Sequence, residues 1–228
     1  MKNYLLDLKL PAILLGASLV FGACSKEKTT ETTTTKTTEE TMDDDMGMDM
    51  DRDSMKMGSN EIMDKMHDHM ESMRKLKLTG DPDNDFALIM AEHHKGGIEM
   101  AEEEVDEGKD TMLVNMAKRS ITMQKDEREK LEDFADDHKP ASRDTSATMK
   151  LMQPMKDMMG KMDHSKTGTT DYHFASLMSM HHQSGIDLVD AYLKQAKVPA
   201  MKTMAQKIKD EQQKEKKKLD AWLAKQPK

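Results

Sequence analysis

Two copies of one histidine-rich segment carry the residues in this chain that are best suited to chemistry. The first copy reads DFALIMAEHHKGGIEMA, and the second, 88 residues further on without a gap, reads HFASLMSMHHQSGIDLV. In each copy a methionine stands three residues before two adjacent histidines. Residues three or four apart lie on one face of a helix, so each copy presents a thioether and two imidazoles to the same side. The predicted metal ligands are Met90, His93, His94, Met178, His181 and His182.

This set of ligand types indicates a soft metal ion. Copper(I) and silver(I) favour thioether and imidazole over carboxylate, whereas di-iron helical bundles place bridging carboxylates on facing helices. Copper(I) is therefore the predicted cargo, with silver(I) as an alternative and iron less favoured, although Glu127 and Glu215 keep a carboxylate option open. Secondary ligand candidates are Met100, Met180, Met116, Met204, His67, His69 and His173.

Methionine is abundant throughout the chain, at 26 of 228 residues. Methionine at helical spacing usually fills a core, and this is the interpretation we favour for Met63, Met66, Met70 and Met73. His67 and His69, beside two of these methionines, raise the alternative of a second and weaker metal site. The Met/Asp tract at residues 42–57 is equally compatible with a loose metal scavenger and with a solvated acidic tether.

The N-terminal sequence is typical of a bacterial lipoprotein. An apolar stretch of signal-peptide length follows Lys2 and Lys9 and ends in small residues before Cys24, the single cysteine of the chain. We predict that residues 1–23 are a signal peptide and that Cys24 is lipidated. The protein would then be anchored in the cell envelope and face the periplasm or the cell exterior. A short retained membrane anchor is the alternative.

The segment that follows predicts a disordered tether at residues 24–58, first rich in Thr, Lys and Glu and then in Met and Asp. The formal net charge of the whole chain is −8, which gives no support to nucleic-acid binding. No nucleophile triad, phosphate loop or nucleotide fingerprint is present in the sequence.

The 88-residue repeat extends well beyond the histidines, because Gln124, Glu127 and Leu131 match residues at the same offset. A gapless match over about fifty positions indicates an internal duplication. We predict an all-α domain at residues 59–228, with repeats at about 59–139 and 147–227. Two helical hairpins would form a four-helix core that is flanked by methionine-rich helices.

The sequence also predicts where the helices begin and end. The first helix runs from Ser59 to near Gly80, and the next begins after Asp81 and ends at about Gly108. A third runs from Asp110 or Thr111 to about Ala135. In the second half, the predicted helices cover Met149 to Met162 (interrupted or delayed by Pro154), Tyr172 to Ala196, and Pro199 to Trp222.

Residues 85–101 and 173–189 resemble the signature of the domain-of-unknown-function 305 family. The Gln-x-x-Glu segments at Gln124 and Gln212 resemble its second helix. The resemblance implies a ferritin-like fold and a relation to periplasmic copper-binding proteins of the CopM type. It also implies copper handling by the six methionine and histidine ligands named above.

The predicted function is an envelope protein that binds copper(I) or silver(I) and buffers, scavenges or transfers it. A copper-trafficking protein would be its partner in transfer. One alternative is a ferritin-like, metal-dependent oxidase, and another is a methionine-rich module for protein interaction.

Overall fold

The computed structural model describes residues 61–141, 144–146, 148–164 and 167–226, and within these residues it contains helices and no strands. The predicted all-α fold is therefore confirmed for this part of the chain. The predictions for residues 1–58, including Cys24 and the Met/Asp tract, lie outside the described residues. The helices are α1 (Glu61–Arg74), α2 (Pro82–Glu107), α3 (Thr111–Asp137), a short 3-10 turn (Thr148–Met152), α4 (Gln153–Met159), α5 (Thr170–Leu193) and α6 (Pro199–Leu223).

The helices form two hairpins that meet through their first helices. Helix α2 packs along α3, α5 packs along α6, and α2 contacts α5 between the hairpins. Helix α1 lies against both α2 and α5, and α4 lies against α5. None of the described helices combines the length and the apolar composition that a membrane span requires.

Helices α2, α3 and α5 begin within about two residues of the predicted positions, because side-chain caps fix their first turns. Asp81 accepts hydrogen bonds from the backbone N–H groups of Asp83 and Asn84 at the start of α2. Asp110 caps α3, and the Thr169 hydroxyl accepts from a backbone N–H at the start of α5. Each cap satisfies donors that have no partner within the helix.

Helix α1 ends at Arg74, which corrects the prediction that it continues to near Gly80. Downstream, Asp85 accepts hydrogen bonds from the backbone N–H groups of Thr79 and Gly80, at 2.6 and 2.8 Å. Gly80 has φ = 90°, a conformation that interrupts a helix and that glycine adopts without strain. Leu76 and Leu78 alternate with lysines and pack against the core from this non-helical segment.

Methionines of α1 fill the core, as their spacing predicts. Met66, Met70 and Met73 are buried, whereas Met63 is only partly buried. Burial of a methionine side chain contributes about 1.5–3 kcal/mol to stability, so these residues hold α1 against the hairpins. The pattern Ile62, Met66, His69, Met73 forms one buried stripe on this helix, which places a histidine among apolar side chains.

Each hairpin loop is held by a carboxylate from the other repeat. Asp83 accepts hydrogen bonds from the backbone N–H groups of Lys197 and Val198, both at 3.1 Å. Asp171, the counterpart of Asp83, accepts from the backbone N–H groups of Lys109 and Asp110, at 2.9 and 2.7 Å. The two sets of hydrogen bonds are related by the 88-residue offset, so each repeat binds the hairpin loop of the other. We call each carboxylate with its two backbone donors a clasp.

The two clasps differ at one buried position. The Tyr192 hydroxyl donates a hydrogen bond to Asp83, whereas the equivalent residue of the first repeat is Glu104, which lies beside Asp171. Glu104 is fully buried, and burial followed by the charge of Asp171 raises its pKa to about 8. A carboxyl group replaces the tyrosine hydroxyl as hydrogen-bond donor here only while it carries its proton.

Glu104 should therefore make stability depend on pH. Its folded-state pKa is raised, so its contribution is complete below the pKa of the unfolded state and is lost as pH rises towards 8. We expect the free energy of unfolding to fall by roughly 1–3 kcal/mol between pH 5 and pH 8, and Glu104→Gln to remove this part of the dependence. Urea unfolding at several pH values tests this. If the free energy of unfolding depends on pH in Glu104→Gln as it does in the unchanged chain and in the exposed control Glu107→Gln, the prediction is wrong.

Candidate metal centre

The two repeats meet at a pair of stacked histidines. The rings of His93 on α2 and His181 on α5 lie with centroids 3.7 Å apart and an interplanar angle of 12°. Both side chains are buried. The first histidine of each predicted ligand pair thus points to a single shared place between the repeats, and not to two separate sites.

Two glycines create the space that these rings occupy. A Cβ atom at Gly97 would lie 3.0 Å from His181 Nε2 and 2.4 Å from Gln124 Oε1. A Cβ atom at Gly185 would lie 2.8 Å from His93 Cε1 and would also collide with a glutamine of its own hairpin. Each glycine therefore admits the histidine of the other repeat.

A third imidazole, His69 of α1, joins the stacked pair. Its ring centroid lies 5.8 Å from that of His181 and 6.3 Å from that of His93. The ring sits over Gly96, where an added Cβ would lie 2.3 Å from His69 Cγ. The counterpart of Gly96 is Ser184, whose hydroxyl lies 3.2 Å from His93 Nε2, so the first repeat admits a ring where the second provides a hydroxyl.

The sequence makes His67 and His69 candidates for one weaker site, but the structure separates the two residues. His69 belongs to the buried stripe of α1, whereas His67 is partly exposed on another side of the helix. The signal that could have identified His69 is its spacing from Ile62, Met66 and Met73, which places it on the apolar face.

Burial keeps the three central imidazoles neutral. Desolvation, and then the neighbouring histidines, hold the pKa values of His93 and His181 well below their ordinary range. Burial, and then the charge of Lys95, lower the pKa of His69 to about 4. The neutral imidazole is the form that binds metal ions, so all three rings are in the competent state at neutral pH.

Several nitrogens of these rings have no hydrogen-bond partner. His93 Nε2 donates to the backbone carbonyl of His181 at 3.1 Å, which leaves its Nδ1 lone pair unpartnered. Both ring nitrogens of His69 and of His181 also lack a partner. An unsatisfied buried polar group costs about 1–3 kcal/mol, so this cluster fits a ligand that accepts nitrogen lone pairs.

The second histidine of each pair points into its own hairpin. His94 Nε2 lies 3.1 Å from Glu127 Oε2, and His182 Nε2 lies 3.0 Å from Glu215 Oε2. Burial opposes ionisation of Glu215, but hydrogen bonds from His182 and Ser120 hold its pKa below the ordinary value. His182 Nε2 therefore has a hydrogen bond to its carboxylate, whereas His94 Nε2 lies close to Glu127 without a hydrogen bond, and both rings have an unpartnered Nδ1.

The remaining candidates fall into three environments. Met90 and Met178 are buried one helical turn before the stacked histidines, and Met100 and Met116 are also buried. Met180 and Met204 are partly buried at the edge of the core. His173 is buried and its ring contacts Tyr172 edge-on, with centroids 5.9 Å apart.

The ring separations decide which imidazoles are able to share one ion. With metal–nitrogen bonds of about 2.0–2.1 Å, two imidazoles on one ion have centroids roughly 4.5–6.3 Å apart, from right-angle to linear geometry. The stacked pair, at 3.7 Å, is too close. His69 lies at a suitable distance from either stacked histidine, so it is the natural partner of His93 or His181.

Among the described residues, no group of three His, Cys, Asp or Glu side chains is arranged to hold a metal ion. A complete coordination sphere at this centre would therefore need thioether sulfur or rotation of an imidazole ring. The buried methionines on α2 and α5 supply thioethers on the same two helices. The neutral donors are imidazole nitrogen, thioether sulfur and the unpartnered amide oxygens of Gln124 and Gln212, and the nitrogen and sulfur among them suit a soft cation.

Comparison with known proteins gives one match. The family model described as "Domain of unknown function (DUF305)" matches the chain twice, over residues 23–135 and over residues 134–223. The two matches correspond to the two halves that the internal repeat defines. No curated protein and no solved structure matches this chain significantly.

A side chain at Gly185 should disrupt the interface between the repeats. Because the added Cβ would overlap Gln212 and His93, we expect Gly185→Ala to lower the free energy of unfolding by about 1–3 kcal/mol. The control is Gly160→Ala, where the nearest atoms to an added Cβ are 3.7 and 3.8 Å away and stability should stay equal or rise slightly. Chemical denaturation measures both. Equal stability of the two variants would refute the close packing at Gly185.

Proposed function

The chain belongs to the domain-of-unknown-function 305 family, and from that premise we propose that it binds copper(I), or alternatively silver(I), between its repeats. We also propose that its two hairpins form a ferritin-like four-helix bundle. One observation carries the metal proposal: His69, His93 and His181 are buried, neutral and in ring contact, and they retain unpartnered nitrogens. A soft cation bound by their lone pairs would relieve the cost of these buried polar atoms.

The proposed ligand set combines His69 with one of the two stacked histidines. Met90 and Met178, one turn before those histidines, are the proposed thioether ligands. Neutral ligands suit a monovalent ion, because no excess negative charge remains in the apolar interior when the ion leaves. The metal would be cargo, so reversible binding matters more than a permanently closed site.

His94 and His182 have a different proposed role. Glu215 has a hydrogen bond to His182 Nε2 and Glu127 lies 3.1 Å from His94 Nε2, so each carboxylate favours one orientation of its ring. Carboxylate-bound histidines of this kind hold their free nitrogen in a defined direction, and such support raises metal affinity. In this proposal they receive the ion if a central ring rotates, and they otherwise maintain the spacing of α2 and α5 from their partner helices.

The cellular role that fits this chemistry is copper buffering, scavenging or transfer in the cell envelope. In the proposal Cys24 carries the lipid anchor and residues 24–58 connect it to the helical domain. The protein would face the periplasm or the cell exterior and would pass metal to a copper-trafficking partner. Methionine ligands suit such an oxidising compartment because, unlike cysteines, they do not form disulfides.

An iron-dependent, ferritin-like oxidase is the second candidate function. The observation that favours it is the pair of buried imidazole–carboxylate contacts, His94–Glu127 and His182–Glu215, one in each hairpin. Both carboxylates already have other contacts, since Glu215 accepts from Ser120 and Glu127 lies 3.7 Å from Lys207 Nζ. Oxygen consumption on addition of iron(II) distinguishes the candidates, because a copper(I) carrier should show none.

Copper(I) titration against a chromophoric chelator under anaerobic conditions tests the main proposal. A Cys24→Ser background is needed because a free thiol would itself bind copper(I). We expect at least one tight equivalent in this background. We also expect a loss of affinity of about tenfold or more in His69→Ala, and a larger loss when His93 and His181 are both changed to alanine.

The matched control is His138→Ala, which removes a histidine that lies beside Asp81, with His138 Nε2 3.3 Å from Asp81 Oδ1. Its copper(I) affinity should equal that of the background protein. If copper(I) competes equally well in all of these variants, the histidine centre is not the site of binding.

A further inference from the structure

A second pair of histidines lies apart from the central cluster. His67 on α1 and His164, shortly after α4, have nearly parallel rings with an interplanar angle of 21° and centroids 5.2 Å apart. His67 is partly exposed and His164 is exposed. The two residues are not related by the 88-residue repeat, so this pair did not arise from the duplication.

The separation of these rings is suitable for sharing one metal ion. It falls inside the range of roughly 4.5–6.3 Å for two imidazoles on one ion, near the value for a tetrahedral angle. The stacked pair His93–His181, at 3.7 Å, lies outside that range. Because the rings are nearly parallel, a rotation of one or both imidazoles is needed to direct a nitrogen of each towards the same ion.

The electrostatic surroundings of the outer pair favour a cation. Burial, and then the neighbouring His164, lower the pKa of His67, while the charges of Asp64 and Asp68 on α1 act in the opposite direction. Asp163 directly precedes His164 in the chain. Two imidazoles that would repel each other when protonated are therefore placed in an acidic environment, where a shared positive ion would satisfy both.

We propose that His67 and His164 form a second, solvent-accessible site for a borderline divalent metal ion of the zinc(II) or copper(II) class. Imidazole together with oxygen ligands suits these ions, whereas the buried centre offers nitrogen and sulfur to a softer one. Three His, Cys, Asp or Glu ligands do not converge here within the described residues, so water completes the coordination sphere. This proposal does not depend on copper(I) binding at the buried centre.

An ion at this site would connect α1 to the segment that follows α4. Helix α1 also carries His69, whose ring enters the central cluster from another face of the same helix. Because a ligand that binds only the folded state stabilises it by mass action, the outer ion should hold α1 in place. The outer site would thereby support the position of His69.

Calorimetric titration of the full chain with zinc(II), in a Cys24→Ser background that removes a competing thiol, tests the proposal. We expect His67→Gln and His164→Gln each to weaken zinc(II) binding at least tenfold, and the loss in the double variant to be smaller than the sum of the two single losses. Glutamine keeps a polar side chain at both positions, and circular dichroism checks that helicity is retained. The matched control, His138→Gln, should bind zinc(II) as the unchanged chain does.

Histidine ring NMR of the unchanged chain gives a second readout that needs no substitution. The ring resonances of His67 and His164 should shift together as zinc(II) is added, at the same stoichiometry. Unchanged zinc(II) affinity in either single variant, additive losses in the double variant, or ring shifts at only one of the two histidines would each overturn the proposal.

Discussion

The contact between the imidazoles of His93 and His181 is the constraint on which the rest of this structure depends. Two polar rings stack in an apolar interface only if both stay neutral and if the helices that carry them approach closely. Desolvation meets the first condition by lowering both pKa values. The glycines at 97 and 185 meet the second. The Asp83 and Asp171 clasps then hold the two repeats in the register that this contact requires.

The duplication supplies pairs of residues, and small departures from it make the centre asymmetric. Gly96 leaves room for His69, whereas its counterpart Ser184 places a hydroxyl beside His93. Helix α1 therefore contributes a third imidazole on the side of the first repeat. Helix α4 contributes no imidazole on the side of the second repeat. A similar departure puts Glu104 where the other repeat has Tyr192, which makes one clasp sensitive to protonation. Two closely similar repeats thus form one shared centre whose two sides differ.

Much of the fold could be predicted from the sequence, because its signals are local. Asp81 and Asp110 cap helices through bonds to residues two or three positions away, and the methionine spacing on α1 defines its buried face. The candidate site was predicted only in part. Helical spacing places both His93 and His94 near the face that carries Met90, but adjacent residues point roughly 100° apart around the helix axis. Only packing decides which of the two rings enters the interface. The arrival of His69 depends on how α1 crosses α2, a long-range contact that no local pattern encodes.

X-ray absorption at the copper edge of the copper(I)-loaded protein, in a Cys24→Ser background, identifies the atoms that bind the ion. We expect imidazole nitrogen at about 2.0 Å together with sulfur at about 2.3 Å, since thioethers are then the sulfur ligands of the chain. Substitution of His69 should remove part of the imidazole scattering. A coordination sphere of oxygen, or one that is unchanged when His69, His93 and His181 are all replaced, would contradict a copper(I) centre between the repeats.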